Sequence, residues 1–141
     1  MHLPTGYTAC HQTPEVDDYR RLRRICGLTP RSVAAAEAGL PNTVFAVIIR
    51  HAGRAVGMGR IIGDGALFLH IVDIAVDPEH QGRGLGKAVM ATLMAYIGAN
   101  APAEVHVSLM ADGDAHRLYA LFGFETVAPR SLGMAVWINR Q

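Results

Sequence analysis

The chain lacks a disulfide framework, a charge excess and long apolar runs, and each absence excludes a class of protein. Its 141 residues include 2 cysteines, Cys10 and Cys26, which are too few for a disulfide scaffold or a cysteine-rich metal cluster. We expect both to be core or half-buried thiols in a reducing compartment, and we expect no metal site.

Charge is nearly balanced, with 13 Lys and Arg against 12 Asp and Glu and a formal net charge of +1. Nucleic-acid binding calls for a basic stripe, so we expect no nucleic-acid partner. An anionic ligand would have to be held by a local site, because the protein has no strong overall field.

No segment approaches the roughly 20 apolar residues of a membrane helix. Residues 1–12 lack the basic region and apolar run of a signal peptide. We therefore expect a soluble, cytoplasmic protein with no membrane partner. With 50% hydrophobic residues and no repeat or linker, one domain over residues 1–141 is expected.

Two helices are predicted near the start of the chain. Thr13-Pro14 and Thr29-Pro30 each place an N-cap residue before a proline at the first helical position. The first helix would end at Gly27, and the second would run over residues 31–38 and end at Gly39. Apolar residues recur at helical spacing in the first: Val16, Tyr19, Leu22 and Ile25.

Strand patterns follow at residues 43–50, 55–62 and 67–76, separated by the turns Ala52-Gly53 and Gly63-Asp64-Gly65. The third is nearly continuously apolar, which predicts burial on both faces. Strict alternation would place His70, Val72, Ile74 and Val76 on one face of that strand. It would place Ile71, Asp73 and Ala75 on the other.

After Asp77-Pro78 the period changes to that of a helix over residues 83–97, where Leu85, Val89, Leu93 and Tyr96 recur every three or four residues. A strand at 104–110, a short helix at 114–122 and a closing strand at 133–138 complete the pattern. Antiparallel strands followed by a β–α–β unit predict an α+β domain with a mixed sheet.

The segment 81–87 is the most informative part of the chain. A buried strand runs into a loop that contains Gly82, Gly84 and Gly86 and opens a helix. Free N–H groups at a helix start, together with the helix dipole, bind anions, and Arg83 and Lys87 add positive charge. A phosphate or pyrophosphate site is therefore predicted.

Two common glycine motifs do not fit this segment. A Walker A loop needs Ser or Thr after its lysine, and Ala88 stands there. A dinucleotide fingerprint beginning at Gly82 needs a small residue where the chain has Lys87.

Gln81-Gly82-Arg83-Gly84-Leu85-Gly86, preceded by Ile74-Ala75-Val76-Asp77-Pro78, resembles the acetyl-CoA motif of GNAT acyltransferases. The later segment 118–124, Leu-Tyr-Ala-Leu-Phe-Gly-Phe, is similar to a helix end of the same family. The resemblance implies a GNAT-like fold, a mostly antiparallel mixed sheet flanked by about four helices. It also implies an N-acetyltransferase that moves an acetyl group from acetyl-CoA to a primary amine by direct attack in a ternary complex.

The resemblance further implies roles for individual residues. The backbone of Gln81 to Gly86 would hold the CoA pyrophosphate, Ile74 and Val76 would pair with the pantetheine amides, and the Val76 N–H would polarise the thioester carbonyl. Tyr119 matches the tyrosine that protonates the departing thiolate. Asp112 stands where the family often has Asn, whose amide donor it lacks. The predicted acetyl-CoA contacts are Ile74, Ala75, Val76, Gln81, Gly82, Arg83, Gly84, Leu85, Gly86, Lys87 and Asp112.

A general base is needed because an amine of pKa near 10.4 is almost fully protonated at pH 7. His70 is the first candidate, since an imidazole side chain ordinarily exchanges its proton near neutral pH and so suits proton abstraction. It matches a histidine of arylalkylamine acetyltransferases, whose second histidine is replaced here by Val72. Asp73 is the second candidate, with a structural role as its alternative, and a water relay is the third.

The acceptor is left open by the sequence. A small-molecule amine is favoured, and a protein N-terminus or lysine, or a non-catalytic acyl-CoA-binding module, are the alternatives. Arg60 and Asp64 could contact the acceptor. In this family the front helices wall the acceptor cleft, which adds Tyr19, Arg23 and Arg24. The segment 134–138 could pair between two copies, so a homodimer is a further expectation.

Overall fold

The computed structural model describes residues 2–139, whose contacts divide the chain into two units, Met1–Leu109 and Met110–Gln141. The first unit holds the sheet and helices α1–α3, and the second holds helix α4. The expectation of one domain over residues 1–141 stays a prediction.

A five-stranded sheet organises the first unit, with strand order β1-β2-β3-β4-β5. Neighbouring strands from β1 to β4 are antiparallel, and β4 and β5 are parallel. The mostly antiparallel mixed sheet is therefore confirmed. The strands are β1 (Tyr7–Cys10), β2 (Phe45–His51), β3 (Arg54–Gly63), β4 (Phe68–Val76) and β5 (His106–Leu109).

Strand β1 was not predicted. It covers four residues and pairs antiparallel with β2, Tyr7 opposite His51 and Cys10 opposite Ile48. Four residues carry too little alternation to indicate a strand, so its existence depends on the neighbouring β2 edge. Cys10 and Cys26 are both free and half-buried, as expected.

Four helices are present in the described residues: α1 (Val16–Ile25), α2 (Val33–Gly39), α3 (Leu85–Asn100) and α4 (His116–Ala120). The predicted helix starts at Thr13-Pro14 and Thr29-Pro30 are wrong. Helix α1 begins after Glu15, and α2 begins after Ser32, whose hydroxyl accepts from the Ala35 amide. That bond satisfies one of the amides that a helix start leaves without a partner.

Helices α1 and α2 cover one face of the sheet. Tyr19 and Leu22 of α1 and Ala36 of α2 form a buried cluster with Met58 of β3 and Ala75 of β4. Burying these apolar side chains is the main driving force that fixes the helices on the sheet.

Helix α3 covers the opposite face and approaches the sheet closely at Gly59. A Cβ atom at Gly59 would lie 2.5 Å from Val89 Cγ1 and 2.7 Å from Ile74 Cδ1, so only glycine lets the helix pack at this distance. At the other end of α3, Tyr96 stacks on Phe45 with ring centroids 4.1 Å apart.

Strand β4 is not buried on both faces, so that prediction is wrong. Leu69, Ile71 and Ala75 are buried, but His70 and Val72 are half-buried and Phe68 is 65% exposed. The α1–α2 layer therefore covers the face that carries His70 and Val72 only in part.

The turn between β3 and β4 is organised by Asp64. Its Oδ1 accepts from the backbone amides of Ala66, Leu67 and Phe68 at 2.7–3.1 Å. These bonds lower the pKa of the Asp64 carboxyl below its ordinary value of 3.8. The Asp64 carboxylate, which the sequence suggested as a possible contact for the acceptor, is thus engaged in the turn.

Asp64→Asn is expected to make stability less sensitive to acid. A carboxyl whose pKa is lower in the folded than in the unfolded chain stabilises the fold above its unfolded pKa, and loses that contribution as pH falls through the folded value. The wild-type urea midpoint should therefore exceed that of Asp64→Asn at neutral pH, and the gap should narrow below pH 3.8. A gap that does not change with pH would contradict this account.

The second unit contains α4 and no described strand. The predicted strand at 133–138 is wrong, because these residues take no regular structure and pair with no strand of residues 2–139. Its apolar residues stay solvent-exposed, with Met134 at 91% and Val136 at 79%. Alternation alone does not make a strand without a neighbour to complete its hydrogen bonds. No helix in residues 2–139 is long and apolar enough to cross a membrane.

Candidate functional site

The glycine loop opens helix α3 with its backbone exposed. Gly82 and Gly84 both have φ +78°, and a Cβ atom at either would find nothing within 4 Å. Gly84 is the N-cap of α3 and provides no side-chain cap. The first amides of the helix therefore have no acceptor in the helix or its cap, which makes this loop the predicted anion site, with Arg83 and Lys87 exposed beside it.

The loop is attached to the end of β4 through the Val76 carbonyl. Gln81 Nε2 donates to this oxygen at 3.0 Å, and Cys26 Sγ donates to it at 3.2 Å. Burial, followed by the charge of Asp77, raises the pKa of the Cys26 thiol and keeps it protonated as a donor. These two bonds hold the strand end, α1 and the glycine loop in one arrangement.

A further cluster behind the loop was not anticipated from the sequence. The Tyr7 hydroxyl and His80 Nδ1 are hydrogen-bonded at 2.7 Å, and His51 lies against both rings, with centroids 4.6 and 5.0 Å away. His80 directly precedes Gln81, so strand β1 helps to position the glycine loop. The three residues are far apart in sequence, and no local pattern links them.

Strands β4 and β5 pair over only four residues. The parallel ladder runs from Phe68–His106 to Ile71–Leu109, where β5 ends, whereas β4 continues to Val76. No strand of residues 2–139 pairs with this side of residues 72–76, which we call the free edge of β4. An extended ligand can complete such an edge through backbone hydrogen bonds.

Val76 directs its backbone polar groups toward the free edge. The Asp77 amide donates to the Val56 carbonyl at 2.8 Å, which makes Val56 and Asp77 a hydrogen-bonded pair. Hydrogen-bonded and non-hydrogen-bonded pairs alternate along an antiparallel ladder, so the next pair, Gly57–Val76, is of the second kind. The Val76 N–H therefore points away from β3 and toward the free edge. The predicted thioester contact requires this direction.

A β-bulge interrupts β4 at Asp73–Ile74. Val72 lies opposite Arg60 and Ala75 opposite Met58, so two residues of β4 face the single residue Gly59. Asp73 has φ +59°, the left-handed region that non-glycine residues seldom adopt. Backbone groups at such an extra residue are left unpaired by the ladder.

The bulge overturns the predicted faces of the strand. Asp73 and Ala75 share the α1–α2 face with Val72, because both contact residues of α1 or its core cluster. Ile74 faces α3 instead, as its approach to Gly59 beside Val89 shows. One extra residue shifts every later side chain to the opposite face, and strict alternation could not reveal it.

Asp73 is the centre of a buried charged cluster. Arg23 Nη1 donates to Oδ1 at 2.5 Å and Arg60 Nη1 donates to Oδ2 at 2.7 Å. The Tyr19 hydroxyl donates to both oxygens at 3.1–3.2 Å. Burial, and then the charge of Asp73, raises the pKa of the Tyr19 phenol, which therefore stays a donor. Arg23, named above as a possible wall of the acceptor cleft, is thus a buried partner of Asp73.

A cavity of about 290 Å³ lies beside this cluster, between α1, α2 and the two central strands. Tyr19, Arg60 and Asp73 line it on the polar side. Apolar side chains of α2, β3 and β4 complete the lining, among them Ala36, Ile62 and Val72.

His70 lies on β4 opposite Ile62, on the face that carries Val72. Its Nδ1 is hydrogen-bonded to Ser108 Oγ of β5 at 2.9 Å. This bond fixes the orientation of the ring, and proton transfer by His70 would be carried by Nε2. Its role as base stays a prediction.

Tyr119 and Asp112 belong to the second unit. Tyr119 is buried in the short helix α4, and its pKa is raised by burial and then by the negative charge of Asp112. A raised pKa keeps the phenol protonated at neutral pH, as a proton donor requires. The described residues contain no group of three or more His, Cys, Asp or Glu side chains placed to hold a metal ion.

The comparisons with known proteins agree with this geometry. Residues 6–124 match the sequence profile of a family described as "Acetyltransferase (GNAT) family". The chain is 36% identical over 90 residues to serotonin N-acetyltransferase 2, chloroplastic, of Oryza sativa subsp. japonica, which covers 64% of this chain and 44% of that protein. It is 40% identical over 77 residues to GCN5-related N-acetyltransferase 2, chloroplastic, of Arabidopsis thaliana, covering 51% of this chain and 27% of that protein. The chain thus matches less than half the length of either relative.

Solved structures extend the likeness to almost the whole chain. A probable acetyltransferase from meticillin-resistant Staphylococcus aureus has a TM-score of 0.89 and 41% identity, covering 94% of this chain and 99% of that chain. A GNAT family acetyltransferase from Streptococcus pneumoniae has a TM-score of 0.75 at 24% identity, covering 96% and 99%. The second likeness concerns the fold alone.

Proposed function

The chain belongs to the GNAT acetyltransferase family, and from this premise we propose that it transfers an acetyl group from acetyl-CoA to the primary amine of a small molecule. The observation that carries the proposal is the free edge of β4, which runs directly into the glycine loop at the start of α3. Acetyl-CoA joins amide groups that suit a strand edge to a pyrophosphate that suits a helix start.

The residues present fit this co-substrate. The open space over Gly82 and Gly84 lets a pyrophosphate approach the backbone amides of the loop. Arg83 and Lys87 add charge at the same place. Along the free edge, the Val76 carbonyl already accepts from Gln81 and Cys26, so the Val76 N–H is the group that remains to donate.

In the proposed reaction the amine nitrogen bonds to the thioester carbonyl carbon and the carbon–sulfur bond breaks. The Val76 N–H donates to the carbonyl oxygen as charge develops there, and backbone groups released by the bulge at Asp73–Ile74 lie next to it. One such donor typically changes the rate by about 10²–10³-fold. His70 is proposed to take the proton from the amine, and Tyr119 to supply one to the departing thiolate.

Isothermal titration calorimetry tests the binding half of the proposal. The protein should bind acetyl-CoA and CoA and show no response to ATP, because ATP supplies phosphates but no pantetheine for the free edge. An absence of acetyl-CoA binding in a folded sample would remove the basis of the proposal.

Gly82→Val is expected to weaken acetyl-CoA binding at least about 10-fold, because its side chain would occupy the space over the loop that the pyrophosphate needs. Gly65→Val is the matched control. Gly65 also has a left-handed φ of +84° and nothing within 4 Å of its Cβ position, but it lies in the β3–β4 turn. Calorimetry should show weakened acetyl-CoA binding for Gly82→Val and unchanged binding for Gly65→Val. An equal loss of affinity in both variants would assign the effect to backbone strain at a left-handed residue.

Thiol release separates the enzymatic reading from a non-catalytic acyl-CoA-binding module. Amine-dependent release of CoA thiol from acetyl-CoA should be seen with small amines. A lysine-containing peptide in the same assay tests whether a protein lysine or N-terminus is the acceptor instead. Binding without release for every amine would favour the non-catalytic module.

A further inference from the structure

The cavity beside Asp73 has the size and position of an acceptor site. Its volume of about 290 Å³ is at the lower end of ligand pockets, which range over roughly 300–1,000 Å³, so it suits a molecule of amino-acid size. Val72 and Asp73 line it and directly precede Ile74 at the bulge. An amine in the cavity would therefore lie next to the backbone groups proposed to hold the thioester.

The charge around the cavity is positive. Two buried guanidinium groups, Arg23 and Arg60, share the single carboxylate of Asp73, which leaves one positive charge uncompensated within the cluster. A buried excess charge is costly without a counter-charge, and an anionic ligand would provide it.

Arg60 retains the capacity to bind such a ligand. It donates from Nε to Thr43 Oγ1 at 2.9 Å and from Nη1 to Asp73 at 2.7 Å. A guanidinium group has five N–H donors, so those of Nη2 are used by neither bond, and Arg60 is a lining residue of the cavity. The bonds to Thr43 and Asp73 hold the group in place before any ligand arrives.

The rest of the lining disfavours a second positive charge on the ligand. Ala35, Ala36, Leu40, Ile62 and Val72 offer no carboxylate. The one carboxylate, Asp73, already accepts from Arg23, Arg60 and Tyr19. A diamine would therefore place an ammonium group against arginines.

We propose that this cavity selects a small primary amine that also carries an anionic group, a carboxylate or a phosphate-type group, and that Arg60 binds the anion. The inference rests on the acetyl transfer proposed above and names the acceptor class of the same site. Anion and amine would lie at opposite ends of a short apolar chain, with the amine toward Ile74.

A matched series of amines tests the proposal by thiol release. Butylamine, 4-aminobutanoate and 1,4-diaminobutane share a four-carbon chain and differ in the charge at the far end. 3-Aminopropylphosphonate replaces the carboxylate with a phosphate-type group and distinguishes the two anions. A charge-assisted hydrogen bond to arginine should raise kcat/KM for at least one anionic amine about 10-fold over butylamine, with the diamine lowest. Equal kcat/KM for all four, or preference for the diamine, would overturn the proposal.

A pair of variants on α2 ties the preference to the cavity. Ala35 lines the cavity, whereas Ala34 does not, and both are exposed. Ala35→Glu should place a carboxylate at the cavity rim and abolish the anion preference, and Ala34→Glu should retain it. Retained preference in Ala35→Glu would locate anion recognition elsewhere.

Binding is measured separately by titrating the four amines into the protein alone and with CoA. Anion-selective binding without thiol release would contradict acetyl transfer and leave the cavity assignment standing. Thiol release without anion selectivity in binding or turnover would support acetyl transfer and contradict the assignment of the cavity to an anionic amine.

Discussion

Asp73→Ala is expected to destabilise the protein by about 3–5 kcal/mol, because it leaves Arg23 and Arg60 buried without their carboxylate. Both arginine side chains are 9% exposed and that of Asp73 is 5% exposed, so the two guanidinium groups lose a counter-charge that is largely shielded from solvent. The measurement is the free energy of unfolding in urea at neutral pH.

Asp18→Ala is the matched control for Asp73. Asp18 pairs with Arg21 at 3.1 Å, but its side chain is 28% exposed, and surface pairs contribute about 0–1 kcal/mol. Similar losses in the two variants would show that the Asp73 cluster is not a stabilising network.

Asp73→Asn separates the structural role of Asp73 from its role as a base. It keeps the shape of the side chain and removes the charge. If Asp73 has a structural role at the bulge, Asp73→Asn should lower the free energy of unfolding and raise KM for the acceptor. A large fall in kcat with a changed pH profile would instead identify Asp73 as the base.

Tyr119→Phe is expected to lower kcat about 100-fold, the lower end of what a positioned proton donor contributes, with acetyl-CoA affinity nearly unchanged. Burial and the charge of Asp112 raise the Tyr119 pKa above its ordinary 10.0. The wild-type rate should therefore show no loss of this donor until the pH exceeds 10.0. Thiol release at saturating acetyl-CoA, with an amine that turns over, measures the effect.

Tyr96→Phe is the control for Tyr119. It removes the same hydroxyl from a tyrosine of α3 whose ring stacks on Phe45, and it should leave kcat unchanged. Equal kcat in wild type and Tyr119→Phe would remove this hydroxyl from the mechanism.

The sequence predicted the parts of the fold that local patterns encode. The three central strands, helix α3 and the glycine loop were each indicated by apolar periodicity or by glycine spacing within one segment. The segment 133–138 has the alternation of a strand but no partner strand in residues 2–139, and β1 has a partner but little alternation. Strand formation depends on a neighbour, and the neighbour cannot be read from the segment itself.

For the candidate site, too, the sequence predicted the part that lies in consecutive residues and missed the part that joins distant ones. The loop at 81–87 could be recognised because its chemistry resides in consecutive residues. The Asp73 cluster joins α1 to β3 and β4, with Arg23 lying 50 residues before Asp73 in the chain, and Arg23 is indistinguishable in sequence from the arginines beside it. The bulge was missed because a single left-handed residue in a strand has no signature in apolar periodicity.

The extra residue at Asp73–Ile74 also determines how this chain tolerates changes in length. A deletion of Asp73 would leave Val72 opposite Arg60 and Ala75 opposite Met58, so the later side chains and the Val76 N–H would keep their sides, and the strand would lose only its bulge and the buried carboxylate. A relative with a one-residue gap at position 73 should therefore present the same N–H to its acyl donor, but it lacks the carboxylate on which Arg23 and Arg60 converge.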